Sequence, residues 1–351
     1  FFFKQKTAYE IKECDWSSDV CSSDLYSVNN AMNLQQLRAV REASHQKFNL
    51  TVVAEVLHTT QPAISRQIRE LEQELGVELF TRHGKRLTGH TSAGREIVPI
   101  VERLLQEQAN LRTAAADFKS RDAGELVVAT THTQARYALP RVVAQFRKKF
   151  PQVKLAFHQS EPQRIVDAVR SGEADIGIAT ESLARATDLL SFPCYTWNHV
   201  IVTPVDHPLA RIARPTLADV AAYPIVTYEV IFTGRPHIDE AFARANVRPD
   251  IVLTALDSDV IKTYVREGLG IGIIAAMAFD ARTDGDLRAI DAAHLFASNV
   301  TRLAIRRGVE LRSYCYDFIE LFAPTLTRAT ITQALRLSDA GTADGAREYS
   351  I

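Results

Sequence analysis

The chain has 351 residues, 46% hydrophobic and 24% charged, with 41 Lys and Arg against 42 Asp and Glu. That composition suits a globular protein of two or three domains, and no run of about 18 apolar residues offers a membrane span. A near-neutral balance excludes a uniformly basic nucleic-acid binder, so any affinity for a duplex must come from a local patch.

Residues 1–31 look foreign to the rest. The stretches 1–11 and 15–25 resemble translated sequencing-adapter DNA and have neither a helical nor a strand period. They also lack the basic start, apolar stretch and small-residue cleavage site of a signal peptide. Met32 is taken as the natural start, and 1–31 is expected to be a disordered leader. It holds three Lys and five Asp or Glu, which leaves 38 basic and 37 acidic residues. It also holds Cys14 and Cys21. The remaining Cys194 and Cys315 are too few for a disulfide framework or a zinc site. Each is a redox thiol or an inert buried one. A reducing, cytoplasmic location is expected.

Residues 32–90 read as three short helices and a hairpin. Leu34, Leu37, Val40 and Ala43 recur at helical spacing. Val52, Val53, Val56 and Leu57 make a second stripe. Ile64, Ile68, Leu71 and Leu75 make a third, closed by Gly76. His58 and Thr59 form a turn, Thr60 can cap the third helix, and Pro62 is tolerated in its first turn. Strand-like segments 77–80 and 86–88 flank the basic, glycine-containing tip 81–85, which reads as a wing. With the apolar stripe turned inward, Gln61, Ser65, Arg66 and Arg69 face outward. Arg can bond guanine bidentately, Gln can do so with adenine, and Ser or Thr can hold phosphate. Arg82, Lys85 and Arg86 would add salt-dependent phosphate contacts.

Residues 91–120 predict a longer linker helix with Ile97, Ile100, Val101, Leu104, Leu105 and Leu111 apolar. Pro99 inside it predicts a kink. Pairing with a second copy would bury the stripe; the other reading is a single helix lying on the next domain.

From 121 to 335 strands alternate with helices, which implies crossover units and a parallel sheet. Strands are predicted at 126–129, 153–158, 174–179, 199–203, 225–228, 251–255 and 270–274. Helices are predicted at 137–150, 164–171, 236–246 and 259–267. Chain near 195 and near 270–300 is expected to pass between two lobes, and 336–351 is expected to be a disordered tail. The run Thr130-Thr131-His132-Thr133-Gln134 follows the first strand and opens a helix, where free N–H groups favour an anion. Thr180 follows another strand, and Phe232-Thr233-Gly234-Arg235 precedes another helix. Ordinary capping explains any one of these; three together at strand ends suggest a shared pocket.

Two rival classes are weaker. His132, His158, His199, His207 and His237 show no metal-ligand spacing, and no nucleophile elbow, phosphate loop or dinucleotide fingerprint occurs. An enzyme is therefore not expected, nor a metal or cofactor. A solute-binding transport protein would need an export signal.

The segments Met32 to Leu37, Ala54 to Ser65 and Leu71 to Phe80, with Thr88 and Thr91-Ser92-Ala93-Gly94, resemble the amino-terminal domain of LysR-type transcriptional regulators. The resemblance implies a winged helix-turn-helix joined to a two-lobed α/β effector domain like a periplasmic binding protein. It also implies double-stranded promoter DNA as partner, a homodimer through the linker helix, a homotetramer, and contact with RNA polymerase left open. Within the family, Ala129 to Pro140, Pro193 to Asn198, Phe232 to Arg235, Asp259 to Arg266 and Tyr314 to Ile319 resemble the CysB-type subgroup, which controls cysteine biosynthesis and sulfur assimilation. That resemblance implies a pocket for sulfate or an N- or O-acetylserine at Thr131, Thr133, Gln134, Thr180 and Thr233. Trp197 is either a wall of that pocket or plain lobe packing. Regulators of sulfonate use are close relatives, and the sequence does not separate them.

Overall fold

The computed structural model describes residues 32–84, 86–232 and 234–339. The leader 1–31, Lys85, Thr233 and the last twelve residues lie outside them, so the expectations placed there are not addressed by the structure. The chain divides into two compact units, one ending at Leu105 and one beginning at Gln106.

In the first unit, α1 (Leu34–His45) starts at Asn33, whose side chain accepts from the N–H groups of Gln35 and Gln36 while the Gln36 side chain accepts from the Asn33 N–H. This capping box satisfies donors that a helix start leaves orphaned. Next come α2 (Leu50–Val56) and α3 (Gln61–Leu75). His58, at positive φ, shapes the turn between them. Ile64, Ile68 and Leu71 are fully buried, packed with Val40, Ala43 and Val53. Leu75 departs from the expected stripe: it is exposed at the last turn, where Gly76 in the left-handed region ends the helix. The wing is β1 (Phe80–His83) paired with β2 (Arg86–His90). Residues 77–79 are not strand, because the first ladder pair is Phe80 with His90.

The linker helix α4 (Ser92–Lys119) runs unbroken through Pro99. Thr91 caps it, accepting from the Gly94 N–H at 2.9 Å and donating to the Glu78 carbonyl at 2.6 Å. Gly94 is required there: a Cβ would lie 1.9 Å from the Leu79 carbonyl oxygen. Val98, Val101 and Leu105 join the core of the first unit. Leu104, Leu111 and Phe118, seven residues apart, are 44%, 72% and 87% exposed.

The second unit contains two lobes, each with a five-stranded mixed sheet. In the first lobe, β3 (Ala123–Thr130) leads into a short π-helical turn (Gln134–Ala138), then α5 (Leu139–Lys149), β4 (Gln152–Gln159), α6 (Pro162–Ser171), β5 (Ile176–Ala179) and α7 (Glu181–Arg185). β6 (Leu189–Trp197) ends the first passage, and the chain crosses at Asn198.

The second lobe holds β7 (His199–Pro204), α8 (Leu217–Ala221), β8 (Ile225–Tyr228), α9 (Arg235–Arg244), β9 (Ile251–Ala255), α10 (Ser258–Arg266), β10 (Ile271–Ala275) and β11 (Leu287–Asp291). The chain then returns as β12 (Asn299–Arg306), followed by α11 (Ser313–Phe322) and α12 (Arg328–Asp339). α12 passes the expected end at 335, anchored by buried Ile331, Ala334 and Leu335.

The sheets correct the expectation of purely parallel pairing. The orders are β4-β3-β5-β12-β6 and β11-β7-β10-β8-β9. The crossover strands are parallel, but β12 runs antiparallel to both β5 and β6, and β7 antiparallel to β10 and β11. The cause is the double crossing: β7 and β12 are the strands by which the chain enters each lobe from the other, so neither follows a crossover helix of its own lobe, which is what parallel pairing needs. Both remaining thiols sit in the first lobe. Burial pushes Cys194 up to about 12 and raises Cys315 as well, which disfavours the reactive thiolate in both.

Candidate nucleic-acid interface and ligand cavity

The outward face of α3 carries Gln61, Pro62, Arg66 and Arg69, all exposed, with Ser65 half-buried among them. Thr60 occupies the N-cap position, but its side chain makes no capping bond, which leaves its hydroxyl available. The guanidinium groups are held along the helix: Arg66 Nε donates to Glu70 at 2.6 Å, and Arg69 Nε to the Ser65 carbonyl at 3.1 Å. Arg86 is exposed on β2.

Arg82, expected to contact phosphate, has a partner within the protein. It donates to Glu72 Oε2 at 2.6 Å, while Oε1 of the same buried carboxylate accepts the N–H groups of Leu79 and Phe80 at 2.9 and 3.2 Å. A buried carboxylate needs such partners, so Arg82 ties the wing to the back of α3. Glu72 escaped the sequence reading because its partner lies ten residues away and its neighbours are apolar. Gln61, Ser65, Arg69, Gly76, Val77 and Gly84 line a groove between helix and wing.

Between the lobes of the second unit lies a cavity of about 20 Å³ lined by Thr131, Thr133, Gln134, Thr180, Trp197, Tyr228, Phe232 and Leu256. Five of the six residues singled out for the effector thus meet at one place, all from the first lobe, and face Tyr228, Phe232 and Leu256 of the second; the sixth, Thr233, lies outside the described residues. Trp197 is a wall. Thr131, Thr133 and Gln134 open the helix after β3, where first-turn N–H groups have no intrahelical carbonyl. Gln134 is buried and fixed by two partners: its Nε2 donates to Thr301 Oγ1 at 3.2 Å, and its Oε1 accepts from the Tyr195 hydroxyl. Thr180 donates to Glu181 Oε2 at 2.5 Å.

Tyr228 and Leu256 were missed as site residues, and Phe232 was noted only as part of the cluster before α9. Tyr228 ends β8 and Leu256 follows β9, both at the carboxyl ends of parallel strands, which was the available signal. The Tyr228 hydroxyl bonds Ser258 at 2.6 Å and accepts the Ala275 N–H at 2.9 Å, and burial pushes it up to about 12.

Among the described residues, no cationic side chain lines the cavity. Arg235, at the start of α9, is turned into the protein instead, donating to the Tyr228 carbonyl and to Asp239. Behind Trp197 lies His199, fully buried, its ring 5.2 Å from the indole. Gly234, at φ +88, closes over it: a Cβ there would lie 2.6 Å from His199 Nε2. Burial first, then the charge of His237, push His199 down to about 3. The cavity barely exceeds the roughly 10–15 Å³ that one water needs, so a larger solute enters only by moving the lobes.

A winged helix-turn-helix and a two-lobed ligand domain define a ligand-responsive DNA-binding protein. The family pattern described as "Bacterial regulatory helix-turn-helix protein, lysR family" matches residues 34–95, and "LysR substrate binding domain" matches 119–327. The chain belongs to the LysR family of transcriptional regulators. It is 54% identical over 305 residues to the HTH-type transcriptional regulator SsuR of Burkholderia cenocepacia, covering 87% of this chain and 99% of that one. It is 51% identical to CysB of the same organism, covering 87% and 97%. Among solved structures, the cofactor-binding domain of the Cbl transcriptional regulator aligns with a TM-score of 0.59 at 45% identity, over 61% of this chain and 93% of that one. The relatives are regulators, not enzymes, and no described helix is long and apolar enough to cross a membrane.

Proposed function

We propose that this chain activates genes of cysteine biosynthesis and sulfate assimilation in response to sulfate or an N- or O-acetylserine. The observation that carries the reading is the cavity: threonine hydroxyls and a helix start of the first lobe facing Tyr228, Phe232 and Leu256 of the second, with no cationic side chain among the described lining residues, in a space too small to fill without moving the lobes. Dipolar donors at a helix start suit a small anion stripped of water. The similarity to CysB supports the sulfur assignment.

On this reading Thr60, Gln61, Pro62, Ser65, Arg66 and Arg69 enter the major groove, and Lys85 and Arg86 hold phosphate. Arg82 sets the wing. The Leu104, Leu111 and Phe118 seam of α4 joins two copies, and two dimers make the tetramer. Effector binding changes lobe closure and, through it, how the recognition helices are presented. The effector shifts that equilibrium only by its different affinity for the two states.

A second reading is a regulator of sulfonate or other sulfur-source use with a different small anion; the identity to SsuR, slightly above that to CysB, favours it. Isothermal titration with sulfate and with acetylserine tests the effector. Binding of either, weakened about tenfold or more by Thr131→Val, is expected; no binding of any of them refutes the effector assignment. Footprints on sulfur-assimilation promoters, with and without acetylserine, test the target genes.

A further inference from the structure

At the edge of the cavity, three side chains from both lobes converge outside the hydroxyl-lined site. His132 stands between Thr131 and Thr133 in the turn after β3. Asp257 and Asp259 stand at the start of α10, just beyond Leu256. One ligand atom from each lies within 4.8 Å of the other two, and all three residues are half-buried. The two carboxylates are not the whole case. Among the described residues, Nδ1 of His132 is buried and without a hydrogen-bond partner, which leaves it open to a further ligand.

The carboxylates keep capacity for a further ligand. Asp257 caps α10, accepting the Val260 N–H at 2.9 Å on Oδ1. Asp259 accepts the Tyr137 hydroxyl at 2.8 Å and pairs with Arg136. Each carboxylate has about four lone-pair positions, so neither is filled.

We propose that His132, Asp257 and Asp259 form a cross-lobe site for a first-row divalent cation of the zinc class. One imidazole with two carboxylates selects Zn²⁺ or its neighbours over Mg²⁺ and Ca²⁺, which prefer all-oxygen sets. Ligand bonds of about 2.0–2.2 Å place tetrahedral ligand atoms roughly 3.4 Å apart. The ligand atoms, at most 4.8 Å apart, therefore close up on the ion, and because His132 comes from one lobe and the two aspartates from the other, the ion ties the lobes together and stabilises their closed state. The fourth position is left to water. Arg136 and Lys262, the latter 3.5 Å from Asp259, oppose the ion and keep its affinity moderate. An effector favouring the same closed state and the ion strengthen each other's binding by the same factor.

The test uses the full-length protein, stripped with a chelator and titrated with ZnCl₂ by calorimetry at fixed ionic strength, with MgCl₂ as control. One zinc per chain is expected, weakened at least tenfold by His132→Ala and by Asp257→Asn, with magnesium silent. Asparagine keeps the helix cap, so the second variant stays folded if the first does not. Absence of saturable zinc binding overturns the proposal. So does zinc binding unchanged in both variants, which would place the ion elsewhere. Sulfate titrated into the chelator-treated protein tests the effector reading separately, and binding there without any zinc binding refutes only the metal site.

Discussion

Gln61, Ser65, Arg66 and Arg69 lie on an open helix face, with guanidinium groups steered by partners on the same helix. Thr131, Thr133, Gln134 and Thr180 line a small polar space with no cationic side chain among the described residues. On the proposed function both regions address anions, yet by different physics. A polyanion gives most of its binding energy through released counterions, which requires mobile positive charge at a wet surface. A small anion in a dry cavity is held better by fixed dipoles, which add no net charge when the site is empty. The two should therefore respond differently to salt, to substitution and to acid.

The sharpest way to separate the regions is Gly94→Ala. A Cβ 1.9 Å from a backbone oxygen forces α4 off the wing, at a cost of about 3 kcal/mol or more. DNA binding should be lost while calorimetry still detects the small anion. Loss of both would show that the regions do not fold independently.

Arg82 and Arg86 divide the wing between structure and contact. Arg82→Ala leaves Glu72 short of a charged partner and should lower stability by about 2–3 kcal/mol, read by thermal melting, without changing the salt slope of DNA binding. Arg86→Ala should leave the melting temperature in place and reduce that slope by about one. Equal salt slopes for wild type and both variants would remove the wing from the interface. Arg69→Ala should weaken DNA binding by about 1–3 kcal/mol and relax base preference at one position, seen by gel shift on a set of altered sites.

Acid should act first on the ligand region. His199 titrates near 3 in the folded chain because burial disfavours its cation, against about 6.5 unfolded. The unfolded state binds the extra proton, so stability is full above about 6.5 and falls as pH drops toward 3. The loss is about 1.4 kcal/mol per unit, or roughly 2 kcal/mol at pH 5. Urea melts followed by Trp197 fluorescence in a Trp16→Phe chain should show this slope, and His199→Gln should flatten it. An unchanged slope in the variant would assign the acid lability to other groups.

The legible parts were those where one periodicity dominates. Ile64, Ile68 and Leu71 announced α3, and β3, β4, β5, β8, β9 and β10 were visible as apolar runs between turns. β12 was not, because buried Asn299 and Thr301 interrupt its apolar face. β6 contains Pro193, tolerated because β6 is an edge strand. α11 is apolar around most of its circumference and has no stripe to detect. Antiparallel pairing of β5 with β12 joins residues more than a hundred positions apart, which no local pattern encodes. In the cavity, the threonines could be singled out because polar residues at strand ends stand out, whereas Tyr228 and Leu256 look like core. The tie of Arg82 to Glu72 was not legible because charge on a wing says nothing of a buried carboxylate beneath it.

The smallest expected effect has the opposite sign and belongs to the DNA-binding unit. His45, in the last turn of α1, is 3.1 Å from Glu102 of α4. That hydrogen bond raises its pKa, against the opposing effect of burial and with help from the charges of Glu102 and Glu42. A folded value above 6.5 means the tie is fully present below pH 6.5 and is lost as pH rises through the folded value. Both side chains are about half exposed, at 52% and 43%, so solvent and salt reduce the gain to under about 1 kcal/mol. Glu102→Gln should therefore melt slightly lower than wild type at pH 6 and coincide with it at pH 8.5. Because His199 weakens the chain in acid where His45 strengthens it, mild acid should bring the two units closer together in stability if the ligand region is the more stable at neutral pH, and drive them apart otherwise. Separate melting of the two units at pH 6 and 8.5, by hydrogen exchange of α1 and of β7, distinguishes the cases; equal shifts in both units would mean that neither histidine acts locally.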